Sequence, residues 1–228
     1  MIFIIAKFGF HPNQIQTIRP ALKCESPQIL KLPNANLWKI ILSDFKGRIL
    51  LQKFLITHNN YEAILANPAC LAEHNITKIY LRDKNLPLPI FRAFLELKNV
   101  EIFVNHSDSP EILAHKNIHL KSNELHLAKS LKSCDSPTMA RILSYSAHSL
   151  SDIINAHKAK IDYIFISPIF AVENKNPPLG VEFLAQIPHK IKPKIFALGG
   201  INSDNINAFE NLGIAGIAGI RAFDKIFA

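Results

Sequence analysis

Short apolar runs alternate with amphipathic segments along most of the chain, from residue 53 onward. Each apolar run is too short for a buried helix and ends at Gly, Pro or a polar residue, which predicts buried strands. Strands that alternate with helices at this spacing predict a parallel sheet with right-handed crossovers. Counting from Lys53 gives eight strands, the number that closes a barrel. We therefore expect an α/β protein with one (β/α)8 TIM-barrel domain over residues 53–228.

The same pattern assigns the individual elements. It predicts strands at 53–57, 78–81, 100–104, 118–120, 141–145, 162–167, 194–198 and 214–220. It predicts helices at 61–73, 90–97, 109–115, 150–158 and 181–187, and one more after Gly199-Gly200. Ser149 or Ser151 is the expected cap of the helix at 150–158, and Ser203 or Asp204 that of the last helix.

Residues 1–52 lack this regularity. Two stretches, 2–5 and 38–42, are strand-like, and the segment between them is rich in Pro and Asn. The chain ends at Ala228, soon after the last predicted strand, which leaves one side of the barrel uncovered. We expect residues 1–52 to form an N-terminal extension that packs there. A second subunit, in a homodimer, is the alternative.

Polar residues recur where the predicted strands end. They are Arg82, Lys84, Asn105, His106, Ser146, His148, Ser167, Lys175, Gly199, Gly200 and Arg221. In a barrel of parallel strands these carboxyl ends all lie on one face, and the active site is built there. The alternative is that strand ends are simply where polar loops begin.

The Gly199-Gly200 pair follows a strand and precedes a helix. Two glycines let the backbone approach a ligand closely, and a nearby helix N-terminus attracts anions. In a (β/α)8 barrel the loops after the last two strands commonly bind phosphate. This motif predicts a phosphate site, unless the glycines serve only to make a tight turn.

The net charge and the cysteine content limit the possible ligands and the cellular compartment of the protein. The formal net charge is +8. The lysines are scattered, however, and no basic run is interleaved with aromatic residues, which argues against a nucleic-acid-binding protein. Attraction of a phosphorylated small molecule needs only a local share of that charge. The three cysteines, Cys24, Cys70 and Cys134, are far apart and form no metal-binding spacing, which favours a reducing compartment. The first ten residues fit neither a signal peptide nor a membrane span, so we expect a cytoplasmic protein.

Several segments together resemble thiamine phosphate synthase and its relative TenI, the thiazole tautomerase. They are YLRDKNL, VNHSDSPEILAHKNIHLKSNEL, YSAHSLSDI, DYIFISPIF, PPLGVEFL, IFALGGINSDN and GIAGIAGI, and they cover roughly residues 53–223 in the right order. The resemblance implies a (β/α)8 barrel and a role in thiamine biosynthesis. It also implies phosphorylated substrates, a thiazole phosphate and, in the synthases, a pyrimidine diphosphate held by Mg²⁺. A stretch at 38–43 is similar to the family's first strand as well, but it lies unusually far from Arg82, so we keep 53–57.

The departures from the synthase pattern concern the pyrimidine diphosphate half of the site. Arg82 and Lys84 match the residues that neutralise the diphosphate, and Lys175 matches a third cation, but Tyr80 replaces a glutamine. His106 replaces one metal-binding carboxylate, and Glu124 is the residue that can stand in for the other. Mg²⁺ prefers carboxylate and water oxygens in a tight octahedron, so the resemblance implies at most weak Mg²⁺ binding.

The half that binds thiazole phosphate in the family is better preserved. It comprises Gly180, Gly199, Gly200 and the turn with Ser146 and His148, next to Ser167. In TenI-like proteins the histidine of this turn is the acid and base, a role that suits imidazole. The resemblance therefore makes His148, with Ser146 and Lys175, the candidate catalytic set; a purely structural His148 is the alternative. Arg221 replaces a small serine, and can either strengthen phosphate binding or fill the phosphate's place.

Three hypotheses remain at this point. The first is a TenI-like protein that binds a thiazole phosphate and transfers a proton without metal. The second is a divergent Mg²⁺-dependent thiamine phosphate synthase. The third is a regulatory or binding protein that has kept the barrel and lost the chemistry.

Overall fold

A closed barrel of eight parallel strands forms the centre of the protein, and β1 is hydrogen-bonded to β8. The computed structural model describes residues 51–107, 109–133 and 141–220. The strands are Gln52–Ile56 (β1), Ile76–Leu81 (β2), Glu101–Asn105 (β3), Asn117–Leu120 (β4), Ile142–Ala147 (β5), Tyr163–Ile166 (β6), Ile195–Leu198 (β7) and Gly216–Gly219 (β8). The expected (β/α)8 fold is confirmed, and every predicted strand from residue 53 onward overlaps an observed one.

The first barrel strand is the one preferred from the sequence. Strand β1 pairs with β2 on one side and with β8 on the other, all in parallel register. The competing stretch at 38–43 lies outside the described residues, as does nearly all of the expected N-terminal extension. The packing of that extension stays a prediction.

The connecting segments are mostly helical. α-Helices occur at Tyr61–Ala66, Ala69–Glu73, Leu88–Leu95, Pro110–Leu113, Ala128–Lys132 and Leu150–Lys158, and 3₁₀ helices at Leu125–Leu127, Val181–Gln186, Lys192–Lys194 and Ile206–Phe209. The helix predicted at 61–73 is two helices, because Pro68 has no N–H to continue the first one. The two helices expected after β6 and β7 are 3₁₀ turns, the usual form of short connectors. No described helix is long and apolar enough to cross a membrane.

Two helix starts test the capping predictions. Ser149 caps Leu150–Lys158, because its hydroxyl accepts a hydrogen bond from the Asp152 N–H at 3.1 Å. After β7 the expected caps Ser203 and Asp204 are wrong. There the Asn202 side chain accepts from the N–H groups of Asp204 and Asn205, at 2.9 and 3.2 Å. Asn makes such turns readily because its short amide reaches its own backbone two residues on.

Aromatic rings fill the interior of the barrel. Phe54 is fully buried, and its ring centroid lies 5.0 Å from that of Phe103, 4.7 Å from that of Phe165 and 5.4 Å from that of Phe196. These phenylalanines come from different strands and point inward, whereas the outward-facing Ile and Leu residues pack against the helices. The filled interior makes a firm floor beneath the carboxyl ends of the strands.

Candidate active site

A cavity of about 1040 Å³ opens at the carboxyl ends of the barrel strands. Seven of the residues selected from the sequence line it together: Arg82, Lys84, Ser146, His148, Ser167, Lys175 and Gly199. They come from strand ends and loops that are far apart in sequence, and the barrel brings them to one face because parallel strands end on the same side. The polar residues at the strand ends therefore line one shared cavity.

Six other residues selected from the sequence are not part of the described cavity wall. Asn105, Gly180, Gly200 and Glu124, and also His106, do not belong to that wall, and Arg221 lies outside the described residues. Their binding roles stay predictions. Asn105, Gly180, Gly200 and Glu124 each form contacts within the protein.

Asn105 is buried and bonded within the protein. Its amide N–H groups donate to the carbonyl oxygens of Arg82 and Asp83, at 2.6 and 3.2 Å, and its side-chain oxygen accepts from the Tyr80 hydroxyl. All the polar groups of the Asn105 side chain are thus engaged. Asn105 holds the loop that carries Arg82, so it acts on the site through that loop.

Two further contacts fix the loop of Arg82, Asp83 and Lys84. The Arg82 N–H donates to the Thr57 hydroxyl at 3.2 Å, and the Tyr61 hydroxyl donates to the Asp83 carboxylate. Asp83 provides the single carboxylate in the described wall of the cavity. Because the loop is held from both sides, the charges of Arg82 and Lys84 are preorganised for an anion.

His119 forms part of the cavity floor, a position that was not predicted from the sequence. Its ring lies between those of Tyr80 and Phe165, with centroid distances of 4.2 and 5.2 Å. Its Nδ1 lies 2.9 Å from the Ser144 hydroxyl and its Nε2 lies 2.9 Å from the Ser146 hydroxyl. The available signal was a histidine between the apolar residues Ile118 and Leu120 of a short strand.

The His119 imidazole is neutral near physiological pH. Burial, and secondarily the charge of Lys121, lower the pKa of His119 to about 3. Burial raises the pKa of the neighbouring Tyr80 hydroxyl, although the charge of Arg82 opposes this. The floor of the cavity is therefore an uncharged, hydrogen-bonded stack, and it aligns the Ser146 hydroxyl.

This low pKa of His119 makes the stability of the protein depend on pH. Below pH 6.5 the unfolded chain protonates His119 whereas the folded chain does not, until the pH approaches 3. The free energy of unfolding should therefore decrease as pH falls below 6.5, by up to about 1.4 kcal/mol per pH unit from this residue. Urea unfolding of the wild type and of His119→Gln from pH 7.5 to 5 measures the effect. The variant should lose this slope, and His126→Gln, an exposed control, should keep it; equal slopes in all three proteins would contradict the assignment.

His148 stands at the rim of the cavity with a defined tautomer. Its Nδ1 lies 2.9 Å from the carbonyl oxygen of Ser167, and its backbone N–H donates to the Asp152 carboxylate at 2.9 Å. A carbonyl oxygen only accepts hydrogen bonds, so Nδ1 carries a proton, and in the neutral imidazole the lone pair is on Nε2. The side chain is exposed and lines the cavity. The arrangement provides an oriented base at the mouth of the site.

The glycines of the site bring the loops after β6 and β7 into close contact. Gly199 has a φ of +99°, and a Cβ there would lie 2.9 Å from the Pro168 Cα. Its carbonyl accepts from the Phe170 N–H at 3.0 Å. Gly200 packs on Phe170 in the same way, and Gly180 donates its N–H to Ile169 at 3.0 Å. At Gly199 and Gly200 only glycine permits both the close approach and the positive φ.

Two carboxylates near the cavity, those of Glu124 and Asp83, accept hydrogen bonds from protein donors. Glu124 accepts a hydrogen bond from the Lys121 N–H at 2.8 Å, within its own turn, and it is absent from the described cavity wall. The Asp83 carboxylate is bonded to Tyr61. Across residues 51–107, 109–133 and 141–220, no group of three or more His, Cys, Asp or Glu side chains could hold a metal ion. One oxygen of each of these two carboxylates thus bonds to a protein donor, and weak Mg²⁺ binding stays a prediction.

Comparison with known proteins agrees with the barrel fold. The family model described as thiamine monophosphate synthase matches residues 71–223. The chain belongs to this family. That description places the family in thiamine biosynthesis.

Individual relatives differ in how much of them the chain covers. It is 40% identical over 84 residues to the thiamine-phosphate synthase of Prochlorococcus marinus, an alignment that takes in 36% of this chain and 24% of that protein. It is 28% identical over 199 residues to the thiamine-phosphate synthase of Chlamydia abortus, covering 82% of this chain and 88% of that protein. The solved thiamine phosphate pyrophosphorylase of Pyrococcus furiosus has the same fold. Its TM-score is 0.58, at 24% identity over 78% of this chain and 88% of that one.

Proposed function

We propose that this protein binds a thiazole phosphate at the carboxyl face of the barrel and moves a proton on it without a metal ion. The observation that carries the proposal is the bond between His148 Nδ1 and the Ser167 carbonyl oxygen, 2.9 Å long. In the neutral imidazole it leaves Nε2 as a base, in a cavity that the described residues line with four cations: Arg82, Lys84, Lys121 and Lys175. This activity corresponds to that of a TenI-like thiazole tautomerase.

The chemistry requires one base and a stabilised anion. Nε2 of His148 takes a proton from the substrate and returns it at another atom, so substrate and product are isomers and no other reactant is consumed. The ammonium of Lys175 stabilises the negative charge that develops between the two transfers. The Ser146 hydroxyl, held by His119 at 2.9 Å, supplies a hydrogen bond of fixed direction to the same intermediate.

Proton exchange on a carboxythiazole phosphate tests the proposal. The purified protein should convert one tautomer to the other, followed by chromatography or by deuterium uptake from heavy water. The rate should be the same in EDTA as in Mg²⁺, because the proposed transfer uses only His148, Ser146 and Lys175. Isomerisation only in the presence of Mg²⁺, or none above the uncatalysed rate, would refute it.

A divergent thiamine phosphate synthase is the second candidate. Two observations favour it: curated relatives carry that name, and Arg82 and Lys84 lie together on a cavity of about 1040 Å³ that can accommodate two ligands. A mixture of thiazole phosphate, pyrimidine diphosphate and Mg²⁺, read by chromatography, distinguishes the two. Thiamine phosphate that forms at an enzymatic rate with the wild type and not with Arg82→Ala would establish the synthase. Absence of both activities would leave a binding protein.

A further inference from the structure

The side of the barrel opposite the cavity, where the strands begin, carries a concentrated positive charge. Strands β4, β5, β6 and β7 are neighbours in the barrel, so the segments that lead into them lie side by side. From the ends of the preceding helices into the first residues of these strands, the described chain has one carboxylate, that of Asp162. The same segments have eight cations, which we call the basic face: Lys116, Lys132, Arg141, Lys158, Lys160, Lys190, Lys192 and Lys194. Lysines that are scattered along the sequence are thus gathered by the fold.

Hydrogen bonds between the segments show that the basic face is continuous. The Lys132 Nζ donates to the Asp162 carboxylate at 2.5 Å and to the Arg141 carbonyl oxygen at 2.7 Å. The Lys194 Nζ donates to the Ile161 carbonyl oxygen at 2.6 Å. Because Asp162 carries a single charge, it neutralises one of the eight cations. Those that are fully exposed are Lys116, Lys158, Lys160 and Lys190.

A general preference of helix ends does not explain this charge. Helix C-termini favour cations, because their free carbonyl groups carry partial negative charge. The segments that lead into the other four strands, β1, β2, β3 and β8, lie on the same side of the barrel. Their described residues hold three cations and four carboxylates: Lys53, Lys78, Lys98, Glu73, Glu96, Glu101 and Glu210. The excess of positive charge therefore belongs to one half of this side.

Lys160 occupies a backbone position that is unusual for lysine. It follows the helix Leu150–Lys158 and has a φ of +61°, whereas every other described residue with a positive φ is Gly or Asn. Glycine and asparagine adopt this left-handed conformation most readily. The Lys160 N–H donates to the His157 carbonyl at 3.0 Å and closes the helix end. A lysine is less stable than glycine at such a turn, which agrees with a role for its charge.

The composition of the basic face favours carboxylates as its counterpart. Seven of its eight cations are lysines, whereas phosphate recognition favours the two-pronged guanidinium of arginine. No aromatic ring of its described segments is exposed for base stacking, since Tyr163 packs on Phe196 with a centroid distance of 5.6 Å. The exposed large hydrophobic residue of the described chain, Leu95, precedes β3, so the face has no apolar anchor for a membrane.

We propose that the basic face docks an acidic protein, whose surface carboxylates contact Lys158, Lys160 and Lys190. The face lies at the amino ends of the strands, so docking leaves the cavity at the carboxyl ends open. The partner and a small ligand can therefore be bound at the same time. Exposed charges of this kind speed association and are screened by salt. The inference does not depend on the proposed proton transfer.

Fluorescence anisotropy with labelled poly-L-glutamate tests the basic face on the full-length protein. The wild type should bind this polymer in about 50 mM NaCl and lose most of the binding in about 300 mM NaCl, because the Debye length shortens. The double variant Lys160→Gln/Lys190→Gln should bind about 5- to 30-fold more weakly, the effect of losing two exposed ion pairs. Lys53→Gln/Lys98→Gln removes the same charge from the same side of the barrel, outside the basic face, and should bind like the wild type.

Lysine acetylation by limiting acetic anhydride, followed by mass spectrometry, tests where the polymer binds. Bound poly-L-glutamate should protect Lys158, Lys160 and Lys190 and leave Lys98 as reactive as before. Equal weakening by the two double variants, or equal protection of Lys98, would overturn the inference. Tighter binding to poly(U) RNA or to phosphatidylglycerol vesicles at the same salt concentration would also overturn it, and would assign the face to nucleic acid or to a membrane surface.

Discussion

His148→Ala should reduce the rate of proton exchange on a carboxythiazole phosphate by about 10²- to 10⁴-fold, the usual contribution of a positioned acid or base. The bond of Nδ1 to the Ser167 carbonyl presents Nε2 in one orientation, and alanine removes the nitrogen altogether. Substrate affinity should change little, because the cations that attract the phosphate are untouched. The loss should therefore appear in kcat rather than in KM.

Two comparisons separate a catalytic His148 from a structural one. Added imidazole should restore part of the rate of His148→Ala, since the small base can enter the space left at the rim of the cavity. His189→Ala removes an exposed histidine outside the cavity wall and should behave as the wild type. A His148→Ala protein that keeps the wild-type kcat would show that this histidine only supports the turn before the helix Leu150–Lys158.

Gly216→Ala should disrupt the closure of the barrel. Gly216 pairs with Gln52 where β8 meets β1, and a Cβ at Gly216 would lie 2.0 Å from the Gln52 carbonyl oxygen. The obstruction is backbone, which cannot turn away as a side chain can. We expect a loss of at least about 3 kcal/mol in the free energy of unfolding, a large share of the 5–15 kcal/mol of a typical domain. Thermal unfolding should show a midpoint about 10 °C lower.

Gly213→Ala is the control for Gly216→Ala. Gly213 has a φ of +75°, but a Cβ there would meet only the Lys192 side chain, at 3.8 Å. Its cost should be confined to the left-handed backbone conformation, about 1–2 kcal/mol. If both variants lost the same stability, the close approach of β8 to β1 would not be what requires Gly216.

The fold, and the face of the barrel on which the candidate site lies, could be predicted from the amino-acid sequence. The alternation of short apolar runs with helical segments is a local property of the sequence. The burial of each run can therefore be predicted from its own residues, without knowing which strands lie beside it. Once eight parallel strands are recognised, chain direction alone puts Arg82, Ser146, His148 and Gly199 on one face. The start of the barrel at 53–57 and the cap at Ser149 also follow from local pattern.

The tertiary structure alone decided what each polar residue at that face does. Asn105 and Glu124 are residue types that can bind a ligand. In the structure, however, Asn105 forms hydrogen bonds with Tyr80 and with the loop of Arg82, and Glu124 forms one within its own turn. His119 seemed an ordinary strand residue and proves to be the centre of the cavity floor. These outcomes depend on distances between strands and loops that are far apart in sequence. A hydrogen bond needs its two atoms within about 3 Å, and only the packed barrel sets such distances.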